Sequence, residues 1–264
     1  MKKLYLVCTH SAISASALTY MINQSPDFYN VTHNNLWLSE TGDFGHAATI
    51  NDWWNIPDNF LKYYNKSIRN AKVLSVDVVQ ELVNKFNEST INKNLAIFTH
   101  AENSSELSTF LPKGSVIQTT MGRNFYPYVQ LWLKREYNNI MNKFIDADNA
   151  WTKLGARYIE DMHENSDAIL INVDTWLKGN PFSHLGIKEN ESAFTWRSEY
   201  LTKNNFTDVN TFIEDNSILA RLTSHMMILE KVLYTSGKSA AVKFMHMTKS
   251  QHPAKACELL GIPA

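Results

Sequence analysis

The chain has 264 residues, 44% of them hydrophobic, and a formal net charge of −1. That length suits one α/β domain spanning 1–264 with a sizeable core, and the near-neutral balance excludes a generalised nucleic-acid surface, so any anion site must be local. Cys8 and Cys257 are the only cysteines, too few for a disulfide framework and without metal-ligand spacing; together with the lack of a bilayer-length apolar run and of a convincing signal peptide, they predict a reduced, cytoplasmic, metal-free protein that does not enter a membrane.

Leu4-Tyr5-Leu6-Val7-Cys8 is a short, continuously apolar run of the kind that forms a strand buried on both faces of a parallel sheet. Thr9 to Ser16 then offers small and hydroxylated side chains plus His10, and apolar residues recur at helical spacing in Ala15, Leu18, Met21 and Ile22. Strand, small-residue segment, helix is the construction of a phosphate-binding loop, in which backbone N–H groups and the helix dipole face an anion. A Walker loop needs G-x-x-x-x-G-K-[ST], and aligning Ser16 with its last position leaves Thr9, Ser14 and Ala15 where Gly, Gly and Lys should stand. An ordinary P-loop hydrolase is therefore disfavoured.

Trp37, Trp53 and Trp54 follow, an aromatic density suited to packing a long excursion or lining an acceptor pocket. Helices are predicted over Pro57–Ile68 and over Ser75–Asn87, the second with Val76, Val79, Leu82, Val83 and Phe86 on its apolar side. Strands are predicted at Leu95–Thr99, Ser115–Thr119 and Ala168–Asn172. Between them lie helices at Ser104–Leu111, from Pro127 through Phe144, and around Trp151–Met162. Alternation of apolar runs with helices predicts a parallel sheet whose ligands sit beyond the strands' carboxyl ends. The last third reads as helical, with Ile218–Tyr234 its longest candidate and Gly237-Lys238-Ser239 a turn.

Three segments at predicted strand ends carry a family resemblance. Thr9-His10-Ser11-Ala12-Ile13-Ser14-Ala15-Ser16, followed by Asn23-Gln24-Ser25-Pro26-Asp27, resembles the sulfotransferase loop T-Y-P-K-S-G-T-T and its Asn-x-x-Pro-Asp ending. Phe98-Thr99-His100, then Phe110-Leu111-Pro112, resembles K-T-H-L-P and its Leu-Pro turn, and Arg123-Asn124 resembles R-N-P-x-D. Ile169 to Leu177 and Leu185-Gly186-Ile187 are similar to later segments of the family. The likeness runs sparsely from Lys3 to Ile187, and its specificity lies in the ordered set.

The resemblance implies a P-loop-like α/β fold of the sulfotransferase type, with 3′-phosphoadenosine 5′-phosphosulfate (PAPS) as co-substrate and a small-molecule or glycan hydroxyl or amine as acceptor. It implies that Thr9, Ser11, Ala12, Ile13, Ser14, Ala15 and Ser16 cradle the 5′-phosphosulfate, that Arg123 binds the 3′-phosphate through its planar fork, and that His100 takes the acceptor's proton. The departures are specific. The loop lysine falls at Ala12, the lysine before Thr-His falls at Phe98, and the helix serine falls at Leu131. Loss of a preorganised cation costs roughly 10²–10³-fold in rate, so His10, Lys113 or Lys238 is expected to substitute, His10 foremost. The competing expectations are a nucleotide-binding module of the same fold that no longer transfers sulfate, and a P-loop kinase-like transferase.

Overall fold

A computed structural model describes residues 2–8, 15–31, 55–101, 103–120, 155–156, 159, 168–203, 217–249 and 251–262. The chain divides into two compact units, one of Met1–Thr120 with Asn165–Phe206, the other of Met121–Glu164 with Thr207–Ala264.

The first unit is built on a four-stranded, all-parallel sheet of β1 (Leu4–Cys8), β2 (Leu95–Thr99), β3 (Val116–Thr120) and β4 (Ile169–Asn172), in the order β2-β1-β3-β4. Its helices are α1 (Ala15–Asn23), α2 (Asp58–Ser67), α3 (Val76–Glu88), α4 (Ser104–Phe110), α5 (Val173–Leu177), α6 (Pro181–Leu185) and α7 (Glu191–Lys203). The parallel α/β architecture predicted from the apolar runs is thus present, with the third and fourth strands each beginning one residue later than expected. Ser115 stays out of the third strand because its N–H donates to Pro112 O (2.9 Å), closing a turn in which Gly114 has φ 76°.

Register aligns the strands at their carboxyl ends. Leu4 pairs with Leu95 and Cys8 with Thr99; on the other side Leu6 pairs with Val116 and Cys8 with Gln118; Thr120 pairs with Asn172. One face of the sheet, formed by Leu4, Leu6, Cys8, Leu95, Ile97 and Val116, is buried under Phe60 and Tyr64 of α2, Val79, Leu82 and Phe86 of α3, and Leu107 of α4. Each such side chain contributes about 1.5–3 kcal/mol on burial. Residues of opposite alternation, Val7, Ala96, Phe98 and Ile117, are buried as well, which is why these strands read as unbroken apolar runs. Packed beside β2, α1 buries Ala17, Leu18, Met21 and Ile22. Val76 departs from expectation: it is the first residue of α3 and is 44% exposed, so the buried stripe starts at Val79.

Helix ends follow their local chemistry. Ser75 caps α3 by accepting from the Val78 N–H, and Lys2 closes the other end, its Nζ donating to Phe86 O and Ile91 O (both 2.7 Å). Asn180 caps α6, Pro181 opens it, and Gly186 ends it in the left-handed region (φ 65°). That last turn is the Leu185-Gly186-Ile187 segment singled out in the sequence.

In the second unit, the helical run α8 (Ser217–Met247) is broken at Gly237 (φ 79°, ψ 177°), so the expected turn at Gly237-Lys238-Ser239 is a kink between two helices. It packs on α9 (Pro253–Leu260), where Cys257 is buried and its thiol pushed up by that burial. Among the described residues no helix is long and apolar enough to cross a membrane. The expected helix from Pro127 and the tryptophans at 37, 53 and 54 lie outside the described residues.

Candidate functional site

The strand order determines where a ligand crevice can open. From β1 the chain passes to β2 on one side, then crosses back over β1 to β3, and moves outward again to β4. Connections from the neighbours β1 and β3 therefore leave in opposite directions, and in a parallel α/β sheet that reversal creates a crevice beyond the carboxyl ends. Cys8 stands in the middle, paired with Thr99 on one side and Gln118 on the other. The three motif segments found in the sequence thus leave from three adjacent strands: residues 9–14 from β1, His100 from β2, and residues 121–124 from β3.

Thr9, His10, Ser11, Ala12, Ile13, Ser14 and Arg123 lie outside the described residues, as do the side chains of Ala15 and Ser16, which open α1. What is described is the frame on both sides of them. The first segment spans the six residues between Cys8 and Ala15 and so delivers the chain from a strand's carboxyl end to a helix N-terminus.

At the end of β2 the frame is dense with hydrogen bonds. Thr99 is fully buried; its Oγ1 donates to Ile68 O (2.8 Å) and accepts from the Ala101 N–H (3.2 Å). His100 is half-buried, its backbone N–H donates to Arg69 O (3.2 Å), and its ring meets that of Phe98 at 5.8 Å between centroids, inclined by 61°. Phe98 is also met edge-on by Tyr64, whose hydroxyl donates to Phe98 O (2.6 Å). Burial drives the Tyr64 phenol far above its ordinary range, outweighing the Arg69 charge and the hydrogen bond to Phe98.

Two polar groups at this end of the sheet are not marked by any motif. Gln118 is 1% exposed; Ser104 Oγ donates to its Oε1 (2.9 Å), and its Nε2 has no partner among the described residues. It sits level with Cys8, two residues before the end of β3. Arg69 follows the end of α2 and holds its guanidinium over Phe98, 5.9 Å from the ring centroid. A buried carboxamide in an otherwise apolar strand was a visible signal for the first; for Arg69 the sequence held none.

The substitutes proposed for the missing lysine separate by position. Lys113 precedes β3 and is exposed at the amino end of that strand, opposite the crevice; with about 3.3 Å of rise per residue, the strand's own length keeps it away. Lys238 is exposed in the second unit, directly after the kink at Gly237. A cleft of about 480 Å³ does open on the first unit, lined in part by Lys2, Tyr5, Asp27 and Lys93, but it too lies at the amino end. Its charges are already engaged: Lys2 on the carbonyls ending α3, Lys93 on Pro26 O (2.9 Å), and Asp27 with Lys188 (3.3 Å).

The Asn23-to-Asp27 segment has a structural task. Asn23, fully buried at the end of α1, donates from Nδ2 to Ala96 O (2.8 Å) and accepts at Oδ1 from the Ala96 N–H (2.9 Å). No family model, no curated protein and no solved structure matches the chain.

Proposed function

We propose that this chain is a sulfotransferase-like protein that moves a sulfuryl group from PAPS to a hydroxyl or amine of a small-molecule or glycan acceptor. The observation that carries the reading is the adjacency of the three strands that the ordered motif segments follow, β2, β1 and β3, with Cys8 paired to both Thr99 and Gln118. A loop motif, a Thr-His and an Arg-Asn that follow neighbouring strands of a parallel sheet can serve one ligand.

In this reading the acceptor oxygen attacks sulfur while the bond from sulfur to the bridging phosphate oxygen breaks, releasing 3′-phosphoadenosine 5′-phosphate. His100 takes the acceptor's proton, the role in which a neutral imidazole nitrogen serves. Backbone N–H groups of Ile13 to Ser16 hold the phosphosulfate, and Arg123 holds the 3′-phosphate. His10, in the segment that leads from β1 to α1, supplies part of the charge that a loop lysine gives elsewhere.

The test is a titration of 3′-phosphoadenosine 5′-phosphate against ATP, followed by turnover of PAPS over a panel of alcohols, phenols, amines and sugars. Preference for the 3′-phosphorylated nucleotide is expected, and His100→Ala should depress turnover while leaving nucleotide affinity nearly unchanged. Preference for ATP would favour a kinase-like transferase instead. The second reading, a binding module without transfer, is favoured by Ala12 and Phe98 standing where the motifs have lysines; nucleotide binding with no transfer across the panel would establish it.

A further inference from the structure

We infer that Arg69 is an anion-binding residue at the carboxyl end of β2, its guanidinium held over the ring of Phe98, the residue that stands where the strand-end motif has a lysine. The inference rests on the sulfuryl-transfer reading for the identity of the anion, a phosphate or sulfuryl oxygen, but not for the existence of the site.

Arg69 is fastened to the end of β2 by its backbone. Its N–H donates to Tyr64 O (3.1 Å), its carbonyl accepts from the His100 N–H (3.2 Å), and the preceding carbonyl, that of Ile68, accepts from Thr99 Oγ1 (2.8 Å). Residues 68 and 69 therefore run alongside Thr99 and His100, and a side chain leaving Arg69 starts at the carboxyl end of the sheet. The guanidinium lies 5.9 Å from the Phe98 ring centroid, the same ring that His100 meets at 5.8 Å. One aromatic side chain is thus shared by the candidate base and by an arginine.

Among the described residues the guanidinium's hydrogen-bonding capacity is unused. Arg69 is half-buried, yet among the described residues no carboxylate pairs with it and no acceptor takes its five N–H donors. Arg197 shows how this chain treats a structural arginine: its Nη1 donates to Trp176 O (2.8 Å) and Gly179 O (2.6 Å). The ring beneath Arg69 attracts the cation but satisfies none of its N–H groups. A planar guanidinium fork that is partly desolvated and has no acceptor among the described residues suits a phosphate or sulfate oxygen, which it engages bidentately. A guanidinium has no acceptor nitrogen to offer, so Arg69 holds the anion and leaves proton transfer to His100.

The test compares the wild type with Arg69→Gln and Arg69→Lys in two binding experiments, with circular dichroism confirming that each variant is folded. Inorganic sulfate is the first probe, read as a shift in melting temperature; stabilisation by exclusion of sulfate from the surface is common to all three proteins, so only the difference counts. Arg69→Gln is expected to lose the specific part and Arg69→Lys to keep some of it. Affinity for 3′-phosphoadenosine 5′-phosphate is the second probe, expected to fall about tenfold or more in Arg69→Gln. If both variants match the wild type with sulfate, the inference is overturned, whatever the nucleotide does. If the wild type binds no nucleotide but its sulfate response depends on Arg69, the anion site stands and the sulfotransferase reading fails. Should Arg69→Gln not fold, Arg69→Lys decides alone: it keeps the charge and loses the fork, and an unchanged sulfate response refutes bidentate binding.

Discussion

Asn23 offers the sharpest test of how the sheet is closed. Its carboxamide fills both the donor and the acceptor of Ala96, and both residues are fully buried. Asn23→Ala leaves one buried N–H and one buried C=O without partners, at roughly 1–3 kcal/mol each. Entry of water into the vacated space reduces that sum, so about 2–4 kcal/mol is expected, a large part of the ~5–15 kcal/mol that stabilises a typical domain. Asn23→Asp adds a signature in pH. Protonated, the new carboxyl donates to Ala96 O and accepts from its N–H as asparagine does; ionised, it sets an oxygen against the Ala96 carbonyl in a fully buried site. Its pKa is therefore raised on folding above the unfolded value of about 3.9. Between those two values the folded state holds the extra proton, so stability is fully present below pH ~4 and falls by about 1.4 kcal/mol per pH unit above it, until the folded pKa is passed. Urea unfolding followed by circular dichroism from pH 4 to 7 measures both effects. A cost below about 0.5 kcal/mol for Asn23→Ala, or an Asn23→Asp profile parallel to the wild type, would refute the proposed edge closure.

Tyr64→Phe removes the hydroxyl that serves the Phe98 carbonyl and should cost about 1–3 kcal/mol in urea; an unchanged midpoint would show that the carbonyl finds another donor. In the wild type, burial raises the Tyr64 phenol on folding, so this group's stabilising share is intact below the unfolded value near pH 10 and is lost above it, visible as alkaline unfolding that Tyr64→Phe shifts. Gly237→Ala should cost about 1–3 kcal/mol although a Cβ there meets nothing within 4 Å, because φ 79° with ψ 177° is a glycine conformation. Gly186→Ala, at φ 65° and ψ 30°, should cost less, since the left-handed helical region tolerates a Cβ better; equal melting temperatures for the two variants would refute the distinction.

Strand positions were legible because both faces of this sheet are covered. Leu4–Cys8 and Leu95–Thr99 carry no polar side chain before their last positions and match the observed strands. Helix starts were legible where their chemistry is local, as at Pro57 and Ser75, which stand just before α2 and α3. Val76 was misplaced because helical spacing does not reveal how far a neighbouring helix extends, and the first turn of α3 projects beyond its cover. Lys113 was misplaced for a related reason: its distance along the sequence from the Thr-His motif is short, but a helix and a reversal of direction separate them. Arg69 was missed because twenty-nine residues (98 − 69) separate it from the ring it covers, and only folding brings the two together.

The closure of the β2 edge and the placement of that arginine have a common origin. Every second residue of a strand turns its backbone groups toward the same edge, and an open edge invites pairing with another chain. Along β2 the outward positions are met in sequence: Asn23 serves Ala96, the Tyr64 hydroxyl serves Phe98, and the next outward group, the His100 N–H, is taken by the carbonyl of Arg69. The first two partners are side chains; the third is a main chain, which does not engage its own side chain. Arg69 is thereby held at the strand's carboxyl end by edge closure, with no ion pair among the described residues, and in the inference drawn above its charge goes to a ligand. An arginine positioned through its carboxylate partner would have to break that pair to bind an anion, whereas one positioned through its backbone binds without losing a contact.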